Sequence, residues 1–174
     1  MSSQDIIKAS LVFVLYLTLQ VLFARNLVLF DVAFCFIYLV IILWLPGETD
    51  TLWVILISFA IGIFVDMFYN TAGVHAAACT LIGFLRKSIL KSFFPSRGIE
   101  NEINVRLAQL GHQRYLAYIM AMTFIHHLAL FFIEAGGTHL FLNTLLKIFS
   151  SLLFTVLVIY LLSVFVTNLS REKQ

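Results

Sequence analysis

A chain of 174 residues with 61% hydrophobic and 11% charged side chains and a mean hydropathy of +1.01 is far more apolar than water-soluble domains, which run at roughly 45–50% and 25%. A soluble fold of this size exposes too much surface to hide so many Phe, Leu, Ile and Val side chains, so lipid must cover the excess. The net charge of +2 then reflects where loops lie across a membrane and calls for no nucleic-acid partner.

A membrane-spanning helix needs about 20 apolar residues. Six runs of that kind follow one another: Ile6 to Ala24, Val28 to Leu45, Leu52 to Phe68, Gly73 to Leu90, Tyr115 to Ile133 and Leu140 to Val166. They are near-continuous in apolar character and do not alternate, which argues against a membrane β-barrel. The expected fold class is all-α, a single polytopic membrane domain over residues 1–174 with about six spans. The first run reads as a retained span, because Asp5 sits in its basic region and no small-x-small cleavage site follows. Cys35 and Cys79 fall inside spans and read as packing residues.

Short cytoplasmic segments retain Lys and Arg. An inside N-terminus puts Lys8, Arg86, Lys87, Lys91, Arg97, Arg106, Arg114, Arg171 and Lys173 in the cytoplasm and Arg25 outside, with Lys147 inside the last span. The expectation is a multi-pass membrane protein with both termini cytoplasmic. The longest loop, between the fourth and fifth runs, carries an amphipathic segment at 96–111 that Gly111 ends. In it Ile99, Ile103, Leu107 and Leu110 recur at helical spacing. It reads as a short helix on the inner membrane surface, either a linker between spans or a docking site for a cytoplasmic partner.

Catalytic patterns are lacking. There is no phosphate-cradling glycine loop, no His/Glu metal pair at i, i+4 and no partnered Ser or Cys nucleophile. Adjacent His126 and His127 point about 100° apart on a helix, so they are not expected to share a metal or a partner; no metal and no cofactor are expected. What remains is a set of ionisable residues near one face of the membrane. Arg25, Asp31, His127, Glu134 and Lys147 form an expected outward polar cluster, with Glu134 in reach of Lys147 and His139 beside it. These are either side chains reaching independently to water or partners within the protein or a complex. Small residues in the fourth run, such as Ala76, Thr80 and Gly83, read as close helix packing.

The specific signal is the stretch Gly62-Ile-Phe-Val-Asp66-Met-Phe-Tyr-Asn70-Thr-Ala-Gly73-Val74-His75-Ala76. Gly62, Asp66, Asn70 and Gly73 follow at intervals of four, four and three and line one stripe. Asp66 then stands where it can accept from the N-terminal amides of the next helix, an end that favours an anion. This stretch resembles the signature of the MreD family of rod-shape determinants, in which a span ends in Asp and a Gly-aliphatic-His/Arg-Ala turn opens the next. Chain length, span count, Gln20 near the outer end of the first span and Glu134 ending the fifth also look like MreD. The departure is at Val28-Leu29-Phe30-Asp31, where the family often has a Pro.

The resemblance implies a non-enzymatic scaffold of the cell-wall elongation machinery. Such a scaffold binds MreC and links the MreB filament to the glycosyltransferase RodA and its transpeptidase, and it is compatible with a homo-oligomer in membrane lipid. It also implies a bundle similar to the substrate-binding subunits of energy-coupling-factor transporters, which supplies the alternative of a small-solute-binding vitamin-type transport subunit. Outer loops of only a few residues speak against a lidded pocket. A membrane-embedded enzyme would rest on Asp66 and His75 as an acid/base pair, without a second carboxylate to assist.

Overall fold

The structure is a computed structural model that describes residues 3–94, 105–136 and 141–171. Helix α1 (Ser3–Leu22) is followed by a 3-10 turn (Ala24–Asn26), strands β1 (Val28–Leu29) and β2 (Ala33–Phe34), and the short α2 (Leu39–Leu43). Then come α3 (Thr51–Tyr69), α4 (Val74–Phe93), α5 (Leu107–Leu110), α6 (His112–Ala135) and α7 (Phe141–Arg171). Among the described residues three helices are long and apolar enough to cross a membrane: Thr51–Tyr69, His112–Ala135 and Phe141–Asn168. Their outward faces carry exposed Trp53, Phe59, Met67, Leu142, Leu153 and Phe165, an apolar surface suited to lipid.

Helix boundaries follow local chemistry. Asp50 opens α3 by accepting the Leu52 amide at 2.8 Å, and Asn70 closes it in the left-handed region at φ 56°. Gly73, at φ 83°, turns the chain into α4. The two helices then cross closely, since a Cβ on Gly62 would lie 2.3 Å from the Ala76 Cα and one on Gly83 would lie 2.7 Å from the Ser58 hydroxyl.

The second expected span is corrected. Residues 28–45 do not form a helix across the bundle. Val28 and Leu29 pair antiparallel with Phe34 and Ala33 in a hairpin whose turn holds Phe30 and Asp31 at φ 53° and 59°. The chain then runs extended through Cys35 and Phe36 into the five-residue α2. Beyond the exposed hairpin turn the stretch is deeply interior, with Phe36, Tyr38, Leu39, Val40, Ile42 and Leu43 all at most 2% exposed. Continuous apolar character does not distinguish a lipid-facing helix from a segment buried on every side by protein, and this stretch is of the second kind. Non-helical backbone is tolerated at membrane depth only where protein satisfies its polar groups.

Helix side chains supply that satisfaction. Ser151 Oγ accepts the Phe34 amide at 2.9 Å, and Thr155 Oγ1 accepts the Phe36 amide and donates to the Phe34 carbonyl, each at 3.2 Å. Gln20 accepts the Tyr38 amide at 3.3 Å and donates to the Cys35 carbonyl at 3.1 Å. Two hydroxyls four residues apart on a helix are about 6 Å apart in rise, close to the roughly 6.6 Å between alternate residues of a strand. Ser151 and Thr155 therefore act like a neighbouring strand.

The far end of the segment is closed by Arg86. Its guanidinium donates to the carbonyls of Leu43, Leu45 and Pro46, and the Tyr118 hydroxyl also donates to Leu43 at 3.4 Å. At 2% exposure Arg86 is a core residue, whereas the sequence placed it at the cytoplasmic surface. The amphipathic segment is also revised. Leu107 and Leu110 lie in α5 with only 5% and 7% exposure, packed into the bundle core and not along a surface. Ile99 and Ile103 lie outside the described residues.

Candidate functional site

The α3–α4 turn is built around Asp66. Its carboxylate accepts the backbone amides of His75 and Ala76, each at 3.0 Å, the hydroxyl of Thr71, and His75 Nδ1 at 3.0 Å. Its own carbonyl accepts the Asn70 and Thr71 amides. One acidic side chain thus ties the last turn of α3 to the first turn of α4, where aligned peptide dipoles favour an anion. Asp66 and His75 are 5% and 3% exposed, and theirs is the ion-pair contact among the described residues. Outside this pair lies a shallow groove lined by Ile63, Met67, Asn70 and Gly73.

Inward from His75 the rings of Tyr69, Phe36 and Tyr38 stand 4.8, 5.9 and 6.1 Å away. Tyr69 receives a hydrogen bond from Gln20 at 2.7 Å. Tyr38 begins a buried polar chain: its hydroxyl meets His126 Nε2 at 2.8 Å, His126 Nδ1 meets His127 Nδ1 at 3.3 Å, and His127 Nε2 meets Thr155 Oγ1 at 3.3 Å. Each imidazole nitrogen in this polar chain can serve as donor or acceptor, while Thr155 also donates to the Phe34 carbonyl.

The two histidines bond each other and take separate polar partners, Tyr38 and Thr155. Both are fully buried, and Phe36 packs on both rings at 5.9 and 5.2 Å. The sequence argument took lipid and one neighbouring helix as the surroundings. A buried segment running between α4, α6 and α7 touches a far wider arc of α6.

The expected outward cluster is dispersed. Arg25 is exposed and stacks over Tyr69 at 5.5 Å, Asp31 and Glu134 are exposed, and His127 is interior. Lys147 does not pair with Glu134: its ammonium stands 5.7 Å from the centre of the Phe34 ring. His139 lies outside the described residues. Sequence reading also missed Tyr38, His126, Ser151, Thr155 and Arg86 as a functional set. The available signal was polarity recurring every four residues in α7, at Lys147, Ser151, Thr155 and Ser163 with one gap, on an otherwise apolar helix.

Among the described residues no three His, Cys, Asp or Glu side chains converge on one point. Compared with protein-family models, curated proteins and solved structures, the chain has no match.

Proposed function

We propose that the chain is a non-enzymatic membrane scaffold of the MreD type that binds MreC and holds it beside the cell-wall elongation synthases. The observation that carries this reading is the Asp66 turn. The residues that give the sequence its resemblance, Gly62, Asp66, Asn70, Gly73 and His75, are also those that lock α3 to α4. The Asp66 carboxylate is occupied by the His75 and Ala76 amides, Thr71 and His75, which suits an anchor better than an acid or base. Side chains of Phe36, Tyr38 and Leu39 fill the interior where a vitamin-type carrier would need its pocket.

In this reading the chain crosses a bacterial cytoplasmic membrane six times, through α1, the segment 33–46, α3, α4, α6 and α7. Basic Lys87, Lys91, Arg106 and Arg114 stand toward the cytoplasm. The hairpin, the α3–α4 turn and the end of α6 stand toward the outside. Affinity purification from the native membrane tests the proposal. Recovery of MreC with RodA and its transpeptidase is expected, and recovery of an ATPase module with a bound vitamin would replace the scaffold by the transport subunit.

A further inference from the structure

We propose that the β1–β2 hairpin is a lipid anchor: its tip enters the boundary between headgroups and acyl chains, and Arg25 and Lys147 at its base receive lipid phosphates. The turn holds Phe30 and Asp31 in the left-handed region, at φ 53° and 59°. Tight hairpin turns with two such residues are usually made by Asn-Gly or Asp-Gly. Asp tolerates the conformation through its short polar side chain, whereas a bulky aromatic residue there is an outlier. The turn therefore holds Phe30 outward against its local preference, and the residue is 91% exposed.

The occupant follows from the surface that this tip continues. On α1, exposed Leu11, Leu15 and Leu22 lie at steps of four and seven, along one face of the helix. Phe23, Leu27 and Leu29 are exposed in turn and carry apolar surface along the chain from the end of that face to Phe30. An apolar helix face that leads directly into an apolar tip gives both the same surroundings, which for a membrane protein are lipid.

Charge at the base of the hairpin fits the same occupant. Arg25, three residues before β1, lies over the Tyr69 ring with its guanidinium carbon 5.5 Å from the ring centre. Lys147 stands 5.7 Å from the centre of the Phe34 ring, and Phe34 is the cross-strand partner of Val28. Among the described residues neither cation forms an ion pair, so the hairpin's own acid, Asp31, neutralises neither. Long basic side chains that rest their stems on apolar surface reach headgroup phosphates in this way. An apolar edge flanked by cations is the pattern of segments that sit roughly 5–10 Å into the headgroup and acyl boundary. So anchored, the hairpin fixes one end of the extended segment that Ser151 and Thr155 hold. The anchor requires only that the chain crosses a membrane, whichever partner it binds and whichever side the hairpin faces.

The test is a depth measurement by electron paramagnetic resonance on the full chain, reconstituted in vesicles of phosphatidylethanolamine and phosphatidylglycerol. A spin label is attached to Phe30→Cys, with Glu48→Cys at an exposed loop position as the aqueous reference; native Cys35 and Cys79 are buried. Collisions with oxygen are expected to exceed those with a water-soluble nickel chelate at position 30, and the reverse is expected at position 48. With Arg25→Gln and Lys147→Gln added, the label at position 30 is expected to shift toward the chelate. Equal access of the chelate to both positions overturns the anchor by placing the tip in water. Low collision with both probes at position 30 also overturns it, by showing a second copy of the chain over the tip. Unchanged depth in the variant without the two cations overturns the phosphate contact. Should Phe30→Cys fail to assemble, Leu29→Cys carries the label under the same criteria.

Discussion

A Cβ placed on Gly62 would stand 2.3 Å from the Cα of Ala76, so α3 and α4 touch backbone to backbone at this level. Gly62→Ala must push the helices apart and is expected to cost about 1–3 kcal/mol, the usual range for overpacking. Gly83→Ala meets the Ser58 hydroxyl at 2.7 Å, which can rotate away, and the Ser58 Cβ and Val54 carbonyl at 3.0 and 3.3 Å, so it demands a smaller shift. Thermal unfolding of the two variants in detergent should rank Gly62→Ala clearly below Gly83→Ala. Equal midpoints would refute the close crossing.

Asp66 is expected to be sensitive to shape and to acceptor count. Oδ1 serves Thr71 and His75, and Oδ2 serves the Ala76 amide. Asp66→Asn turns one of these oxygens into a donor facing a donor, at a cost of about 1–3 kcal/mol for the group left unpaired. Asp66→Leu removes every acceptor and should lower abundance further. In the scaffold reading MreC capture falls in step with abundance for both variants. Normal abundance and normal capture with loss of rod shape in Asp66→Asn would instead point to chemistry at the carboxylate.

Thr155 serves three partners at once: the Phe36 amide, the Phe34 carbonyl and His127. Thr155→Val keeps the volume and strands buried polar groups, so a loss of about 1–3 kcal/mol per unpaired group is expected, while Thr155→Ser should stay near wild type. Unfolding midpoints separate the two, and a Val variant as stable as Ser would show that the extended segment does not depend on this clamp.

Arg86 is expected to tolerate no neutral replacement. Arg86→Leu leaves the Leu43, Leu45 and Pro46 carbonyls without their donor, and Arg86→Lys lacks the planar fork that reaches all three. The expected order of protein abundance is Arg above Lys above Leu. A Leu variant that accumulates normally would place Arg86 outside the structural core.

For topology, a cysteine at exposed Asn70 should react with an impermeant maleimide added outside intact spheroplasts, and one at exposed Glu48 should not. The reverse labelling would invert the proposed orientation.

Part of this architecture was legible in the sequence. Apolar length gave the membrane class and the helices over 51–69, 112–135 and 141–168, because a lipid-facing helix must be apolar along its whole course. The spacing from Asp66 to His75 pointed to a carboxylate near a helix start, since four-residue steps put Gly62, Asp66 and Asn70 on one stripe and Gly73 marks the turn. The stretch 28–45 was not legible. Its partners are Gln20, Arg86, Ser151 and Thr155, up to 121 residues away, and no local periodicity records contacts at that distance. For the same reason Lys147 was matched to Glu134, because the Phe34 ring beneath it enters only through the hairpin.

That distance in the chain also fixes an order of assembly. When Phe34 leaves the ribosome, the hydroxyls of Ser151 and Thr155 that will receive its strand have yet to be synthesised. The Phe34 amide and carbonyl and the Phe36 amide must wait for these partners until the final helix arrives, whereas Gln20 of α1 can already serve Tyr38 and Cys35. Closing so long a loop makes this step slow compared with docking of the adjacent α3–α4 hairpin. A chain that lacks α7 would therefore leave the Phe34 amide and carbonyl and the Phe36 amide without their partners.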